Sequence, residues 1–435
     1  MRERRAPCVF LSVAEESADV HAAALVRAAR ERLPGVEFYG LTGPRLRELG
    51  VETVYDFASH AAMLGGVLGV VRQAWQAVRT IEKAWRARRP DLVVLLDSPE
   101  LHLRLAKRAK KLGIPVLYYI APQTWAARAY RNRQIARDID RLACILPFEQ
   151  EYFRRFGIDA EYVGHPLFET LRQEQPIPDT VEFLRARAGS RPIVALLPGS
   201  RRHVIDVMLP KQLEVVRRMR AAGHNVYAVI SCVSDERRGQ IRDILAAHMP
   251  SATALEQCAS DKPPAQESRA TDDVGHGGAT PQNPEGSVDA GVDIVVADNA
   301  SLLTAADLVL VASGTAALHV AYYRKPMIVM YDAGRLLYWP YRLFGRLVIS
   351  TPHLSLVNVL AGARVVPEFM PFTRDLGVVA TVAGQLLTDA TWRDLMVRQM
   401  DEIVRPLQQS NASASVCRMI EELLAAAAKG GEISS

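Results

Sequence analysis

Ile193-Val194-Ala195-Leu196-Leu197-Pro198-Gly199-Ser200-Arg201 joins a run of five apolar residues to a segment that contains Pro, Gly and Ser. Its apolar start predicts a buried β-strand, and the small residues that follow predict a tight turn into a helix. A helix start offers unpaired backbone N–H groups and the positive end of the peptide dipole, which together suit a diphosphate. Small residues let the backbone approach such an anion, and Arg201 offers it a planar charged fork. The alternative is that Arg201 begins an ordinary basic surface patch with Arg202 and His203.

The same combination of strand and small-residue turn recurs where Leu308–Val311 runs into Ser313-Gly314-Thr315. Small residues at a strand–helix turn also occur for packing alone, which is the alternative for this segment. Two such loops in one half of the chain nevertheless favour a nucleotide-diphosphate donor as the ligand. The donor-binding candidates from these loops are Gly199, Ser200, Arg201, Ser313, Gly314 and Thr315.

Short apolar runs alternate with helical stretches through most of the chain, which predicts parallel sheets covered by helices on both faces. The predicted strands are Cys8–Val13, Val36–Tyr39, Leu92–Leu96, Val116–Ile120, Leu142–Leu146, Ile193–Leu197, Val226–Ile230, Ile294–Val296, Leu308–Val311 and Met327–Met330. The predicted fold class is therefore α/β, with two Rossmann-like doubly wound parallel-sheet domains facing a cleft. Ligands of such sheets bind outside the carboxyl ends of the strands, so we expect the active site in that cleft.

The predicted domain boundaries lie where the composition changes. Residues 1–185 form an N-terminal Rossmann-like domain, and residues 186–405 form a second, C-terminal one. Pro, Gly, Ser, Gln and Asp dominate residues 259–291, which predicts a disordered insertion without assignable chemistry. Residues 406–435 complete the chain as a C-terminal helix, predicted over Gln408–Lys429, and a fraying tail.

Composition and charge narrow the functional classes. The 435 residues carry a formal net charge of +5, which is too mild to indicate a nucleic-acid partner. The five cysteines lie scattered without metal-ligand spacing, so we expect reduced, buried thiols and no metal site. The apolar run Cys8–Val13 is too short for a secretory signal, and no run reaches the roughly 18 apolar residues of a membrane span. We therefore expect a protein that is soluble or lies on a membrane surface.

Acidic side chains follow two strands predicted in the first half of the chain. Asp97 comes directly after Leu92–Leu96, and a carboxylate at the carboxyl end of a parallel strand can act as a general base on a hydroxyl group. The alternative for Asp97 is a cap of the next helix. Glu15, Ser17 and Asp19 follow the first strand, where they either hold acceptor hydroxyls or cap a helix start.

The segment Gly65–Arg89 places Trp75 and Trp85 at helical spacing among arginines and lysines. It is either an interfacial helix on anionic lipid or a core-facing helix with a solvated basic side. Leu336–Val348, rich in Tyr, Trp and Leu, raises the same two alternatives. His165 is interpreted as a linker or wall residue rather than a catalyst, because a lone histidine is more often structural.

Taken together in chain order, these residues and the motifs around them resemble the lipid-A-disaccharide synthase family. The matching pieces cover about residues 8–425 apart from the insertion, and each piece is weak alone. They are Glu15–Asp19, Thr42–Arg45, Asp97–Pro99, Tyr119–Pro122 with Trp125 and Arg128, Pro147–Glu149, Val163–Leu167, Leu197–Arg201, Ala312–Thr315, Pro326-Met327, Asn358 and Val365–Glu368. The set in this order is highly specific.

The resemblance implies a glycosyltransferase B fold and an inverting transfer that uses neither a metal ion nor a cofactor. Such an enzyme joins UDP-2,3-diacylglucosamine to 2,3-diacylglucosamine 1-phosphate and gives the β(1→6) lipid A disaccharide and UDP. Asp97 is then catalytic and deprotonates the acceptor 6-hydroxyl. The resemblance adds His319, Asn358 and Glu368 to the donor-binding residues, and it makes Glu15, Ser17, Asp19, Trp125 and Arg128 acceptor-binding.

The resemblance also implies where the protein works and with what. The N-terminal domain faces the acceptor and the membrane, and the C-terminal domain binds the nucleotide sugar. The protein is then peripheral on the cytoplasmic face of the inner membrane of a Gram-negative cell. A homodimer through the C-terminal parts is the expected assembly of the family.

The chain departs from the family pattern at several site positions. Ala14 and Ala18 stand where the family has glycines, Val204 and His319 where it has glutamates, and Pro371 where it has glutamine. In the family, the glutamate at the position of His319 is expected to accept hydrogen bonds from the donor's ribose. A neutral histidine accepts only one hydrogen bond. These departures keep two alternatives open. One is a diverged paralogue that binds lipid or nucleotide with little catalysis, and the other is a transferase or epimerase acting on another UDP-sugar.

Overall fold

The computed structural model describes residues 6–55, 67–248, 292–334 and 351–433, which belong to two compact units. The first unit runs to Thr170 and takes in the chain again from Leu407, and the second lies between Leu171 and Pro406. The predicted insertion 259–291, the segment Leu336–Val348 and the start of Gly65–Arg89 lie outside the described residues.

Each unit contains a parallel β-sheet, with seven strands described in the first unit and six in the second. The first sheet comprises β1 (Cys8–Ser12), β2 (Glu37–Leu41), β3 (Glu52–Tyr55), β4 (Leu92–Leu96), β5 (Val116–Tyr119), β6 (Arg141–Cys144) and β7 (Ala160–Tyr162). The second comprises β8 (Ile193–Leu197), β9 (Tyr227–Cys232), β10 (Val292–Val296), β11 (Leu308–Ala312), β12 (Met327–Met330) and β13 (Glu368–Phe369). The spatial orders are β3-β2-β1-β4-β5-β6-β7 and β10-β9-β8-β11-β12-β13.

The described helices connect these strands and extend the chain to its end. In the first half they are α1 (Glu16–Arg32), α2 (Pro44–Glu48), α3 (Val67–Ala87), α4 (Pro99–Lys111), α5 (Asn132–Asp138), α6 (Pro147–Arg154), α7 (Leu167–Gln173) and α8 (Pro178–Ala188). In the second half they are α9 (Arg202–Ala221), α10 (Asp235–His248), α11 (Asn299–Ala305), α12 (Ala316–Tyr322), α13 (Leu356–Ala361), α14 (Leu376–Thr388), α15 (Ala390–Gln408) and α16 (Ala412–Ile433).

The inner strands match the apolar runs of the sequence, because helices cover both faces of a parallel sheet. The strands β1, β4, β8 and β11 are buried along their whole length. All the predicted strands are present, and β4, β8 and β12 have the predicted bounds. The sequence pattern does not predict β3, β7 or β13, because these short edge strands are partly exposed and lack an apolar run.

The C-terminal helix α16 belongs to the first unit, where it packs on α1. The thiol of Cys417 is buried there, 3.8 Å from the carbonyl oxygen of Leu25. Glu169 binds the start of the same helix, accepting hydrogen bonds from the backbone N–H of Ser413 at 2.8 Å and from its hydroxyl at 2.6 Å. The division along the chain therefore falls after Thr170, before the predicted boundary at 185, and residues from Leu407 join the first unit.

The described side chains of α3 support the core-facing alternative for this part of Gly65–Arg89. Val78, Ile81 and Trp85 are buried, and Trp85 packs edge-on against Phe10 with ring centroids 5.1 Å apart. Trp75 is 48% exposed, so it lies on the outer side of the helix. Among the described helices, none combines the length and the apolar character that crossing a membrane requires.

Candidate active site

In each sheet the strand order reverses direction at one place, which lies between β1 and β4 in the first unit and between β8 and β11 in the second. Ligands of doubly wound sheets bind outside the carboxyl ends of the strands at such a reversal. The residues predicted from the strand ends follow these four strands: Glu15 follows β1, Asp97 follows β4, Gly199 follows β8 and Ser313 follows β11. Each unit therefore carries one cluster of candidate residues at its own reversal point.

Asp97 occupies a tight turn between β4 and α4. Its φ is 53° and that of Ser98 is 45°, so two consecutive non-glycine residues lie in the left-handed region. The N–H of Asp97 donates to the carbonyl oxygen of Tyr119 at 3.0 Å. The carbonyl oxygen of Asp97 accepts hydrogen bonds from His102 Nδ1 at 2.7 Å and from the Tyr118 hydroxyl. Ser98 is the N-cap residue of α4, and Asp97 directly precedes it.

Arg128 lies beside the same turn through an ion pair with Glu100. A carboxylate oxygen of Glu100 is 2.5 Å from Arg128 and the other is 2.7 Å from Arg131. The hydrogen bonds from Arg131, and then those from Arg128, hold the pKa of Glu100 below its usual range although burial opposes this. The Arg128 side chain is exposed to solvent.

Trp125 is held by a buried carboxyl group. Its indole N–H donates to Glu149 Oε1 at 2.9 Å, and its ring packs edge-on against Phe148 with centroids 5.0 Å apart. The other oxygen of Glu149 accepts the N–H groups of Ile145 at 3.1 Å and Leu146 at 3.0 Å. Burial raises the pKa of Glu149 to about 7 despite these donors. The half-buried Trp125 ring therefore has a fixed orientation beside the strand ends.

The three residues predicted after β1 have different environments. Glu15 is the half-buried N-cap residue of α1 without a side-chain capping bond, and Ser17 is exposed in the first turn. Asp19 is buried, and its carboxylate accepts the N–H groups of Gly43, Arg45 and Leu46 at 3.1, 2.8 and 3.3 Å. Asp19 therefore caps α2, a neighbouring helix, rather than the helix on which it lies.

The loop after β8 has the geometry of a phosphate loop. Gly199 has a φ of +105°, and a Cβ there would lie 3.0 Å from Val204 Cγ1, so the turn requires glycine. Ser200 and Arg201 are exposed, and Arg201 is the N-cap residue of α9. The buried Gln212 of α9 donates from Nε2 to the carbonyl oxygens of Leu197 at 3.3 Å and Leu310 at 3.0 Å. This amide ties the end of β8 to the middle of β11.

The loop after β11 presents Ser313, Gly314 and Thr315, of which the last two are exposed. Gly314 has a φ of +133°, a conformation that glycine adopts most easily. One turn into α12 lies His319, which is 12% exposed at its side chain and has Nε2 3.5 Å from a carboxylate oxygen of Glu174. The other ring contact of His319 is Tyr323, with centroids 5.5 Å apart.

Asn358, in α13, and Glu368, the first residue of β13, form one buried network. Asn358 Nδ2 donates to Glu368 Oε2 at 3.0 Å and to the carbonyl oxygen of Val366 at 2.9 Å. Its Oδ1 accepts the N–H groups of Val365 at 2.8 Å and Val366 at 2.9 Å. Burial favours the neutral form of Glu368, but hydrogen bonds from Ser355 and Asn358 outweigh it and lower the carboxyl pKa. Their hydrogen bonds therefore stabilise the fold, and only the atoms outside this network can contact a ligand.

Sequence reasoning missed four side chains that position the predicted ones: His102, Glu149, Glu174 and Gln212. His102 and Glu149 occur in or beside quoted motifs, so their location was visible in the sequence although their partners were not. Glu174 and Gln212 carry no local signal, because their partners are distant in sequence. Within the described part of the chain, no three His, Cys, Asp or Glu side chains converge as a metal site does.

Comparison with known proteins gives one family. The family model described as lipid-A-disaccharide synthetase matches residues 9–262 and 288–419. A lipid-A-disaccharide synthase of Myxococcus xanthus (strain DK1622) is 33% identical, with 96% of this chain and 98% of that protein covered. A lipid-A-disaccharide synthase of Nitrosococcus oceani is also 33% identical, with 98% of each chain covered.

Solved structures agree on the architecture. A UDP-GlcNAc 2-epimerase from Neisseria meningitidis bound to UDP-GlcNAc superposes with a TM-score of 0.58 at 10% identity, covering 95% of this chain and 99% of that one. The calicheamicin glycosyltransferase CalG4 superposes with a TM-score of 0.54 at 13% identity, covering 97% and 99%. At these identities the likeness concerns the fold alone, which is the glycosyltransferase B fold.

Proposed function

The chain belongs to the lipid-A-disaccharide synthase family, and from that premise we propose that it is the hexosyltransferase that makes the lipid A disaccharide. The reaction joins UDP-2,3-diacylglucosamine to 2,3-diacylglucosamine 1-phosphate and releases UDP. Full-length similarity to synthases at 33% identity is the observation that carries this proposal. Asp97 and Arg201 stand at the strand ends, which supports retained catalysis despite the departures at 14, 18, 204, 319 and 371.

Asp97 is the proposed general base on the acceptor 6-hydroxyl. An inverting transfer needs a carboxylate that removes the hydroxyl proton while the oxygen attacks the anomeric carbon and the bond to UDP breaks. The half-buried position of Asp97 at the carboxyl end of β4 suits that task. Arg128 and Trp125 are proposed to bind the acceptor, the former through its phosphate and the latter through a sugar face. Glu15 and Ser17 offer further polar contacts to acceptor hydroxyls, whereas Asp19 is proposed to act by supporting their loop.

The donor-binding proposal rests on the two loops of the second unit. Arg201 stabilises the negative charge that develops on the departing UDP, and the backbone N–H groups near Gly314 and Thr315 do the same. Gly199, Ser200 and Ser313 let the backbone approach the diphosphate. His319 is proposed to contact the ribose, and Asn358 with Glu368 supports the donor side from within the fold.

The location and assembly of the protein are also proposals. Because both substrates carry acyl chains, we expect the enzyme to work as a peripheral protein on the cytoplasmic face of the inner membrane. A homodimer through C-terminal parts follows the expectation for the family.

The test is disaccharide formation by purified protein from the two named substrates, detected by mass spectrometry. We expect product from the wild-type protein, at least about a hundredfold less from Arg201→Ala, and none above background from Asp97→Asn. Arg202→Ala is the matched control, because Arg202 is the adjacent exposed arginine at the start of α9. Absence of product from folded wild-type protein at high donor concentration would overturn the proposal in favour of a diverged binding protein.

A further inference from the structure

We propose that His102 and Tyr118 are positioning residues that hold the Asp97 peptide in its left-handed conformation and thereby aim the Asp97 carboxylate. This inference rests on the proposed function, since Asp97 is its catalytic base. Both side chains lie on elements other than the turn itself: His102 is in α4 and Tyr118 in β5. Neither residue belongs to the set that the sequence motifs assign to catalysis or substrate binding.

The conformation of Asp97 requires support from outside the turn. Non-glycine residues rarely adopt positive φ, because Cβ then crowds the neighbouring carbonyl oxygen. Asp97 and Ser98 both do so, at 53° and 45°. A residue held in such a conformation persists only where surrounding bonds over-determine it, and this pattern concentrates at functional sites.

The Asp97 peptide has those bonds. Its carbonyl oxygen accepts two hydrogen bonds, from His102 Nδ1 at 2.7 Å and from the Tyr118 hydroxyl, and its N–H donates to Tyr119 at 3.0 Å. His102 and Tyr118 are each fully buried, and their rings pack edge-on with centroids 6.3 Å apart. Every polar atom of the Asp97 backbone is therefore tied to a rigid strand or helix.

The protonation of His102 follows from its partners. A carbonyl oxygen only accepts, so Nδ1 carries the proton and Nε2 is the acceptor for the Ser12 hydroxyl at 2.9 Å. Burial lowers the pKa of His102 to about 4 although its backbone bonds oppose this, so the ring stays neutral around pH 7. Ser12 ends β1, so the imidazole bridges the two strands between which the order of the sheet reverses.

These hydrogen bonds form a continuous series from Ser12 on β1 through His102 and the Asp97 carbonyl oxygen to Tyr118 on β5. These hydrogen bonds constrain the peptide that carries the Asp97 carboxylate. Removing a donor leaves the strained peptide without part of its support, so the turn relaxes and the carboxylate leaves its working direction. A misdirected Asp97 carboxylate lowers kcat without weakening substrate binding.

The test compares variants of the full-length protein by steady-state kinetics, thermal unfolding and crystal structures. His102→Leu and Tyr118→Phe each remove one donor, and His102→Asn keeps an N–H near the position of Nδ1. Tyr119→Phe is the control, because the neighbouring Tyr119 hydroxyl is buried and has no hydrogen-bond partner among the described residues. We expect kcat to fall about tenfold to a hundredfold in His102→Leu and about tenfold in Tyr118→Phe, with the KM of both substrates within about twofold.

The remaining expectations separate positioning from a merely structural role. His102→Asn retains most of the kcat, Tyr119→Phe retains all of it, and the crystal structure of His102→Leu shows Asp97 with a negative φ. Unchanged kcat in folded His102→Leu and Tyr118→Phe overturns the inference, as does an equal loss in Tyr119→Phe. If the wild-type protein makes no disaccharide, the proposed function fails by itself. The φ of Asp97 in the crystal structure of His102→Leu then tests the inference by itself. A negative φ supports the inference, and a positive φ overturns it.

Discussion

The imidazole of His319 and the carboxylate of Glu174 face each other across 3.5 Å in the second unit. The resemblance to the family leads us to expect a glutamate at this position, where this chain has His319. The structure places a carboxylate beside His319 from a different segment, at the residue that follows α7. A carboxylate accepts several hydrogen bonds, whereas a neutral imidazole accepts one. The pair therefore places a group that accepts several hydrogen bonds beside the imidazole.

This relationship predicts that Glu174→Gln weakens donor binding selectively. Exchanging the carboxylate for an amide removes acceptor capacity near His319, so we expect a loss of about 1 kcal/mol, roughly fivefold in the KM for the UDP-sugar. Steady-state kinetics with each substrate varied in turn measures this. The exposed Glu182→Gln, on α8, should leave both KM values unchanged. A rise in acceptor KM alone would contradict the assignment of this pair to the donor.

Asp19 should act on stability more than on catalysis. Its carboxylate accepts three backbone N–H groups from the start of α2 and the residue before it. Asp19→Asn places an amide N–H against one of those donors, so we expect a loss of about 2 kcal/mol in the free energy of unfolding. Urea denaturation measures it, with Glu16→Gln, an exposed residue of the first turn of α1, as control. Wild-type stability combined with a raised acceptor KM would instead indicate direct contact with the acceptor.

Asn358→Asp, which replaces the side-chain amide by a carboxylate, should strongly destabilise the second unit. The new carboxylate would face Glu368 Oε2 across the present 3.0 Å contact, and it could not donate to the carbonyl oxygen of Val366. Two buried like charges and an unpaired acceptor together cost about 3 kcal/mol or more. Thermal unfolding of the variant checks this. Asn411→Asp is the matched control, because the exposed Asn411 accepts the N–H of Ala414 through Oδ1, which an aspartate also does. Equal melting temperatures for the two variants would count against the network.

The raised pKa of the Glu149 carboxyl group should make the free energy of unfolding depend on pH. Burial raises its folded-state pKa to about 7 from an ordinary 4.5, so the folded protein holds this proton more tightly than the unfolded chain. Its contribution to stability is therefore fully present below about pH 4.5, falls as the pH rises to about 7, and is lost above that. The total change is about 3 kcal/mol.

Glu149→Gln removes this titration, so its stability relative to the wild-type protein should rise between about pH 5 and pH 7 and then level off. Urea denaturation at several pH values measures the difference. Glu151→Gln, at an exposed position of the same helix, should follow the wild-type profile throughout. Parallel profiles for Glu149→Gln and the wild-type protein would show that the carboxyl titrates at its ordinary pKa.

The sequence predicted the two parallel sheets, and it located candidate site residues after the strands. A strand buried on both faces has to be a continuous apolar run, so Leu92–Leu96, Ile193–Leu197 and Met327–Met330 were visible with their bounds. Candidate residues could then be placed at the carboxyl ends, because a parallel sheet directs every strand to the same edge. Several of the short motifs that resemble the family follow the carboxyl ends of strands, among them Asp97–Pro99 and Leu197–Arg201.

The contacts that hold those candidates became visible only with the fold. Asp19 serves a neighbouring helix, His319 meets Glu174, and the Asp97 peptide is tied to His102 and Tyr118. A local pattern records periodicity and turn chemistry, but it contains nothing about partners that approach from other elements. His102 and Ser12 are 90 residues apart in the chain and 2.9 Å apart in space. That contact exists because the sheet places β1 beside β4, and a hydrogen bond depends on distance in space rather than on distance in sequence.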